Sequence, residues 1–382
     1  MTKKTVLSVF GTRPEAAKMV PLLLEMRADS RLKSVVCVTA QHRELLDGMI
    51  APFGIIPDYD LNLMKAGQSL TDINARVLQG LAPILADVKP DILLVQGDTT
   101  TVFAAALAAF YAQVNVGHIE AGLRSHDKYR PYPEEINRKM TTAIADLHFA
   151  PTELSRDNLL KENVPNANII VTGNTAIDML KYTTTDAGFC TGKFINPALE
   201  SIDFTKRVIL MTAHRRENWG QPMENICRAV KRIITDFPDT FVVWAVHPGK
   251  AAHEPPHRLL SNTPPVLLTT PLDIFDMHNI MRKATLVLTD SGGIQEEAPS
   301  FDLPTVVLRD VTERPEGLAA GTLTLAGVEE DSIYNEAARL LTDQAAYKKM
   351  ATTKNPFGDG HASARIIEAI VQSSSTLCYN TA

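Results

Sequence analysis

Residues 285–301 read TLVLTDSGGIQEEAPSF, and the punctuation of this stretch decides how the chain folds. Residues 285–289 are a short, apolar, β-branched run of the kind buried in a parallel sheet. The run stops at Asp290-Ser291-Gly292-Gly293, after which Ile-Gln-Glu-Glu-Ala favours helix until Pro299 breaks it. A strand that enters a helix through a glycine-containing turn leaves free backbone N–H groups at the positive end of that helix, where a phosphate is well accommodated. Ser291 adds a hydroxyl donor, and Gly292 and Gly293 let backbone approach a ligand with no Cβ in the way. Glu297, one turn on, is badly placed for phosphate and well placed to accept from ribose hydroxyls. An ordinary strand-to-helix turn capped by Asp290 and Ser291 has the same letters, so this stretch alone assigns no ligand.

The same cadence recurs in both directions. Upstream, strands are expected at 5–10, 35–39, 91–96, 114–119, 147–150 and 169–172. Helical patterns separate them at 14–28, 43–53, 70–88, 101–111, 134–145 and 154–162. Residues 179–206 lose the rhythm and read as a linker. A second series then places strands at 208–212, 241–246, 266–269, 285–289 and 305–308, with helices near 222–236, 274–282, 332–341, 346–352 and 362–373. This is the α/β class: two Rossmann-like, doubly wound domains facing across a cleft at the carboxyl ends of their strands, where such sheets bind ligands. The expected division is 1–178, 179–360 and a C-terminal helical segment, 361–382, packing back on the first domain.

Bulk properties narrow the function. At 382 residues the chain exceeds one comfortable core, and a net charge of −6 gives no attraction to nucleic acid or an anionic membrane surface. The four cysteines, Cys37, Cys190, Cys227 and Cys378, follow no CxxC spacing, which suggests reduced thiols and a cytoplasmic location. The N-terminus reads as no signal peptide, and no apolar run is long enough to span a bilayer.

Chemistry-bearing residues gather at strand ends. Phe10–Glu15 closes the first strand, with Arg13 and Lys18 able to hold phosphate or sugar hydroxyls. Gln96–Thr101 carries Asp98, residues 117–124 carry Glu120, and Pro133 directs Glu134 and Glu135 into the first turn of a helix, where a carboxylate is stabilised in its ionised form. Asp98, Glu120 and Glu134 can thus share one rim of the cleft, and three carboxyls around one site raise each other's pKa. Taken singly, each also reads as a cap or a solvated helix start. In the second half, His214 and Arg215 can supply donors to a diphosphate, and Arg314 can cap the same anion. His253-Glu254-Pro255-Pro256-His257 spells the HExxH of zinc proteases, but consecutive prolines are expected to push Glu254 and Pro255 out of the α region, which argues against zinc. Asp58-Tyr59-Asp60 is expected to be a solvated turn. GxxxxGK[ST] and GxGxxG are both missing, so ATP hydrolysis and a standard dinucleotide site lack support.

Together, FGTRPE (10–15), GDTTT (97–101), HIEAGLR (118–124), PEEINR (133–138), TGNTAID (172–178), TAHRREN (212–218), TDSGGIQEEAPS (289–300) and RDVTERPEG (309–317) resemble the non-hydrolysing UDP-N-acetylglucosamine 2-epimerases of bacterial type. The segments come in family order and cover nearly the whole chain. The resemblance implies the glycosyltransferase-B fold and a reversible conversion of UDP-GlcNAc to UDP-ManNAc with neither metal nor NAD, through elimination of UDP to 2-acetamidoglucal and its re-addition. It implies Asp98, Glu120 and Glu134 as catalytic carboxyls. UDP-sugar contacts would come from Arg13, Lys18, His214, Ser291, Gly292, Gly293, Glu297 and Arg314, with Leu272 and Met277 near uracil. It further implies a homodimer, a product destined for cell-surface polysaccharide, and an activating second UDP-GlcNAc near Gln41, Gln68 and His247. Rival readings are a transferase of the same fold, which needs an acceptor pocket and usually one base, a hydrolysing epimerase, and a non-catalytic UDP-sugar sensor.

Overall fold

The structure is a computed structural model that describes residues 3–39, 43–63, 67–184 and 193–373. It divides into two compact units, Met1–Met179 with Gly358–Ala382, and Leu180–Phe357.

The first unit is built on a seven-stranded parallel sheet of β1 (Lys4–Phe10), β2 (Leu32–Val38), β3 (Tyr59–Asp60), β4 (Ile92–Gln96), β5 (Asn115–Ile119), β6 (Leu147–Ala150) and β7 (Ile169–Val171), in the order β3-β2-β1-β4-β5-β6-β7. β4 is buried along its whole length, which explains why Ile-Leu-Leu-Val-Gln shows no polar alternation. The alanine-rich helix Thr100–Tyr111 packs between Leu70–Val88 and Glu134–Ile144. Its small side chains let neighbouring helices approach closely over Leu93, Val95 and Val116. The last described helix, Ala362–Gln372, is tied to this unit at both ends. Asp178 accepts from the backbone N–H of Ala362 (3.0 Å) and Ser363 (2.6 Å), and Lys4 Nζ donates to the Ile370 carbonyl at 2.8 Å.

The second unit holds β8 (Arg207–Thr212), β9 (Thr240–Ala245), β10 (Val266–Thr269), β11 (Leu286–Thr289), β12 (Thr305–Val307) and β13 (Leu323–Leu325), ordered β10-β9-β8-β11-β12-β13 and again all parallel. The helix Gln221–Asp236 buries Met223, Ile226, Val230 and Ile233 against one face, while Leu210, Val243 and Val287 belong to the core on the other. In each sheet the chain reverses direction of growth beside the first strand, between β1 and β4 and between β8 and β11. In open α/β sheets that is where strand-end loops diverge and leave room for a ligand.

Several expectations are corrected. Residues 250–260 form one helix, Lys250–Leu260, that runs through Pro255 and Pro256. The clash before proline is a preference, and burial of Ala252, Pro256 and Leu260 at four-residue spacing outweighs it. His253 and His257 therefore do share a helical face, with ring centroids 3.9 Å apart. Asp58-Tyr59-Asp60 is no free turn: Tyr59 and Asp60 pair with β2, and Asp58 Oδ2 accepts from Val36 N at 2.8 Å. The stretch expected as linker begins inside the helix Thr175–Thr183, and the short elements Pro315–Ala320 and β13 went unread. Among the described residues no helix is long and apolar enough to cross a membrane.

One turn near the β5 end tolerates only glycine. Gly122 has φ +91°, and an added methyl would lie 2.2 Å from the carbonyl oxygen of Ser155 in the helix Glu153–Lys161. Gly122→Ala should destabilise the first unit by about 3 kcal/mol, combining backbone strain with overpacking. The urea midpoint followed by far-UV circular dichroism of the first unit should fall. Fluorescence should not, because the two tryptophans, Trp219 and Trp244, belong to the second unit. An unchanged dichroism midpoint would contradict this.

Candidate active site

In the first unit, β1, β4 and β5 deliver three loops to one edge of the sheet. Glu15, only 2% exposed, staples two of them: Oε2 accepts from Gly11 N (3.1 Å) and Thr12 N (2.7 Å), and Oε1 from Thr99 Oγ1 (2.9 Å). Burial pushes its pKa up against the opposing pull of these donors. The residue before Thr99 is Asp98. Its carboxylate receives Arg138 through Nη2 at 2.7 Å and Nε at 2.9 Å, and its backbone carbonyl receives Asn137 Nδ2 at 2.9 Å. Arg138 also donates through Nη1 to Glu135 Oε2 at 3.0 Å. Glu135, fully buried, accepts in addition from the backbone of Ser125 (3.0 Å) and His126 (3.1 Å). Its burial would raise its pKa, but these donors and the guanidinium bring the net value below the ordinary one.

Glu120 follows β5 in a left-handed backbone conformation (φ +65°), an unusual choice for a residue with a side chain. The turn aims its carboxylate inward, where Lys18 Nζ lies 2.5 Å from Oε1, Asn174 Nδ2 donates at 3.3 Å and Gln96 donates to Oε2. A methyl built on Gly97 would stand 3.7 Å from Glu120 Oε2, so this carboxylate borders the residue preceding Asp98. His118 locks the same spot. Burial pushes its pKa down to about 3, and its Nε2 lies 2.7 Å from the Gly97 carbonyl, so the neutral ring donates there. Glu134 is half-buried at the first position of the helix Glu134–Ile144, one turn before Arg138. Arg13 occupies the first position of the helix that follows β1.

In the second unit the loops after β8, β11 and β12 surround Ser291–Gly293. Asp290 is fully buried and organises them. Its Oδ2 accepts from His214 N and Arg215 N, each at 2.8 Å, and from Asn218 Nδ2 at 2.9 Å; Oδ1 lies 3.1 Å from His214 Nδ1. Burial alone would raise its pKa, but His214 and the backbone donors hold it below the ordinary carboxylate value. A methyl on Gly292 would sit 3.4 Å from Arg314 Nη2 and 3.8 Å from Arg215 Nη2. Two guanidinium groups and an imidazole thus converge on a turn rich in backbone N–H, an arrangement suited to a diphosphate. Arg314 is braced through Nε by Glu296, itself 2% exposed. Glu297 Oε2 stands 3.3 Å from His278 Nε2, and His278 Nδ1 lies 2.7 Å from Thr183 Oγ1. Among the described residues no group of three or more His, Cys, Asp or Glu is placed to hold a metal.

The model of the UDP-N-acetylglucosamine 2-epimerase family matches residues 24–371. The UDP-N-acetylglucosamine 2-epimerase of Bacillus subtilis is 53% identical over 371 residues, covering 97% of this chain and 96% of its own length. That of Escherichia coli K12 is 49% identical over 368 residues, covering 96% and 98%. The chain belongs to the UDP-N-acetylglucosamine 2-epimerase family. Among solved epimerase structures, the Neisseria meningitidis UDP-GlcNAc 2-epimerase bound to UDP-GlcNAc superposes with a TM-score of 0.87 at 46% identity, covering 96% of this chain and 99% of its own. A Staphylococcus aureus MnaA–UDP co-structure gives 0.84 at 46% identity, covering 96% of each.

Other residues expected at the ligand have protein neighbours in this epimerase-family chain. Lys18, expected on ligand, contacts Glu120, and Arg314 spends one nitrogen on Glu296. Leu272 is buried in an apolar cluster, and Met277 packs against that cluster. Gln68 is half-buried in the first unit and His247 exposed in the second, with its ring centroid 6.1 Å from that of His214. Gln41 lies outside the described residues. The supporting residues Glu15, Gln96, Arg138 and Asn174 were given no role from sequence, and Asp290 only that of a cap. Arg138 had a signal: it stands four residues after Glu134, hence on the same helical face.

Proposed function

We propose that this chain interconverts UDP-GlcNAc and UDP-ManNAc without net hydrolysis, by eliminating UDP and adding it back. A carboxylate of the first unit removes the C2 proton, the C1–O bond breaks, and the electron pair leaves with UDP. The 2-acetamidoglucal stays bound until UDP re-adds at C1 and a proton returns to the opposite face of C2. Inversion at C2 calls for acid–base groups on both faces of the ring, and the observation that carries this reading is that neighbouring strands β4 and β5 deliver Asp98 and Glu120 to adjacent loops, with Glu134 one turn before the arginine that holds Asp98. Arg215, Arg314, His214 and the Ser291–Gly293 turn would hold the departing diphosphate. Arg13 and Glu297 would hold the remainder of the nucleotide sugar, and Leu272 and Met277 would line the uracil end. Hydrogen leaves and returns to C2 as a proton, so the scheme calls for neither NAD nor a metal. A homodimer, a cytoplasmic site of action, delivery of ManNAc to surface polysaccharide, and activation by a second UDP-GlcNAc involving Gln68 and His247 complete the proposal.

Positional isotope exchange tests the elimination. UDP-GlcNAc carrying 18O in the C1–O–P bridge should return with label scrambled into the non-bridging β-phosphate positions. Retention of all label in the bridge argues against C1–O cleavage. Release of free ManNAc and UDP identifies the hydrolysing reaction, and inertness until an acceptor is added identifies a transferase.

A further inference from the structure

We propose that Arg138 is a positioning residue for the C2 chemistry, fixing the Asp98 carboxyl group in place with one oxygen left for the reacting proton; this rests on the epimerase reading above. The guanidinium reaches one oxygen, Oδ2, of Asp98 through both Nη2 (2.7 Å) and Nε (2.9 Å). Oδ1 is thereby left as the oxygen open to a reacting proton. The third nitrogen, Nη1, is anchored on buried Glu135, which the backbone of Ser125 and His126 fixes in turn. Asn137, one residue earlier, holds the Asp98 carbonyl. The helix Glu134–Ile144 therefore grips Asp98 by side chain and backbone at once. An immobilised guanidinium that places two nitrogens on one carboxylate oxygen fixes that side chain more firmly than a solvated cation free to swing away.

Other charged groups bear on Asp98 too. Glu120 borders Gly97 and is paired with Lys18; Glu135 sits behind Arg138; Glu15 holds Thr99; His118 beneath Gly97 is neutral. Arg138 is the cation in direct contact. Without it, the Asp98 side chain is free to turn away from the reacting carbon, so the chemical step slows while substrate binding does not.

The test compares Arg138→Met and Arg138→Lys in the full chain, following C2 deuterium uptake from D2O into UDP-GlcNAc. Arg138→Met should lower kcat about 100-fold with KM within about threefold. Arg138→Lys should recover about tenfold of that loss. In an Asp98→Asn background, Arg138→Met should cost less than about threefold more, because both changes remove one function. An unchanged kcat, a loss confined to KM, or a full 100-fold loss on top of Asp98→Asn would overturn the proposal. If Arg138→Met fails to fold by circular dichroism, Arg138→Lys decides alone: a kcat about tenfold below that of the unaltered chain with KM unchanged is expected, and an unchanged kcat or a loss confined to KM would overturn the proposal. Failure of the epimerase reading itself would look different: the unaltered chain would take up no deuterium at C2.

Discussion

Asp98→Asn should lower kcat by about 10²–10⁴-fold while leaving the KM for UDP-GlcNAc within a few-fold. The substitution is isosteric, and Arg138 and Asn137 retain acceptors at the same places, so the loop keeps its shape. What disappears is a basic carboxylate at the sheet edge shared with Glu120. Nucleotide affinity is assigned to the second unit, so it should be nearly untouched. Initial rates of UDP-ManNAc formation, with isothermal titration of UDP as the control, check both halves. A kcat within threefold of the unaltered chain would remove Asp98 from the chemistry.

Asp290→Ala should be the most damaging single change in the second unit. One buried oxygen accepts two backbone N–H groups and the Asn218 amide, and each donor stranded away from water costs about 1–3 kcal/mol. The loss, on the order of 3 kcal/mol or more, is reduced by no longer burying a carboxylate. Fluorescence of Trp244 and Trp219 should report it as a lower urea midpoint for this unit. UDP affinity should fall more than about tenfold, because His214 and Arg215 lose their anchor. The pH dependence has a definite sign. The folded pKa of Asp290 lies below the ordinary 3.8, so its electrostatic contribution is present above that value and fades as pH falls through the lower, folded one. The gap in stability between the unaltered chain and Asp290→Ala should therefore narrow in strong acid. An equal gap at neutral and strongly acid pH would contradict the role given to the charge.

Much of this architecture was readable because its signals are local. A buried parallel strand is a continuous apolar run, and a Gly-bearing turn into a helix announces itself, as in Leu286–Thr289 followed by Ser291–Gly293. The unread pieces depend on partners far away in sequence. β3 is two residues long and exists only because β2 offers an edge. The helix Lys250–Leu260 overrides its prolines through tertiary burial that no local rule contains. At the site, the carboxylates stood out as types at strand ends, whereas their keepers did not. Glu15 looks like a helix-start acid until Thr99, 84 residues on, is found on it. Nor does sequence put Lys18, on the helix after β1, beside Glu120, 102 residues on. Pairing of this kind is set by strand order, which places the β1, β4 and β5 loops side by side.

The central claim is that acids at the edge of the first sheet exchange the C2 hydrogen of a UDP-sugar whose nucleotide the second unit retains. Incubating the purified chain with UDP-GlcNAc alone in D2O, and reading C2 by NMR, tests it most directly. The account predicts UDP-ManNAc and UDP-GlcNAc that both carry deuterium at C2, with no added acceptor or cofactor. UDP-ManNAc retaining its original hydrogen at C2, or no UDP-ManNAc at all, would contradict it.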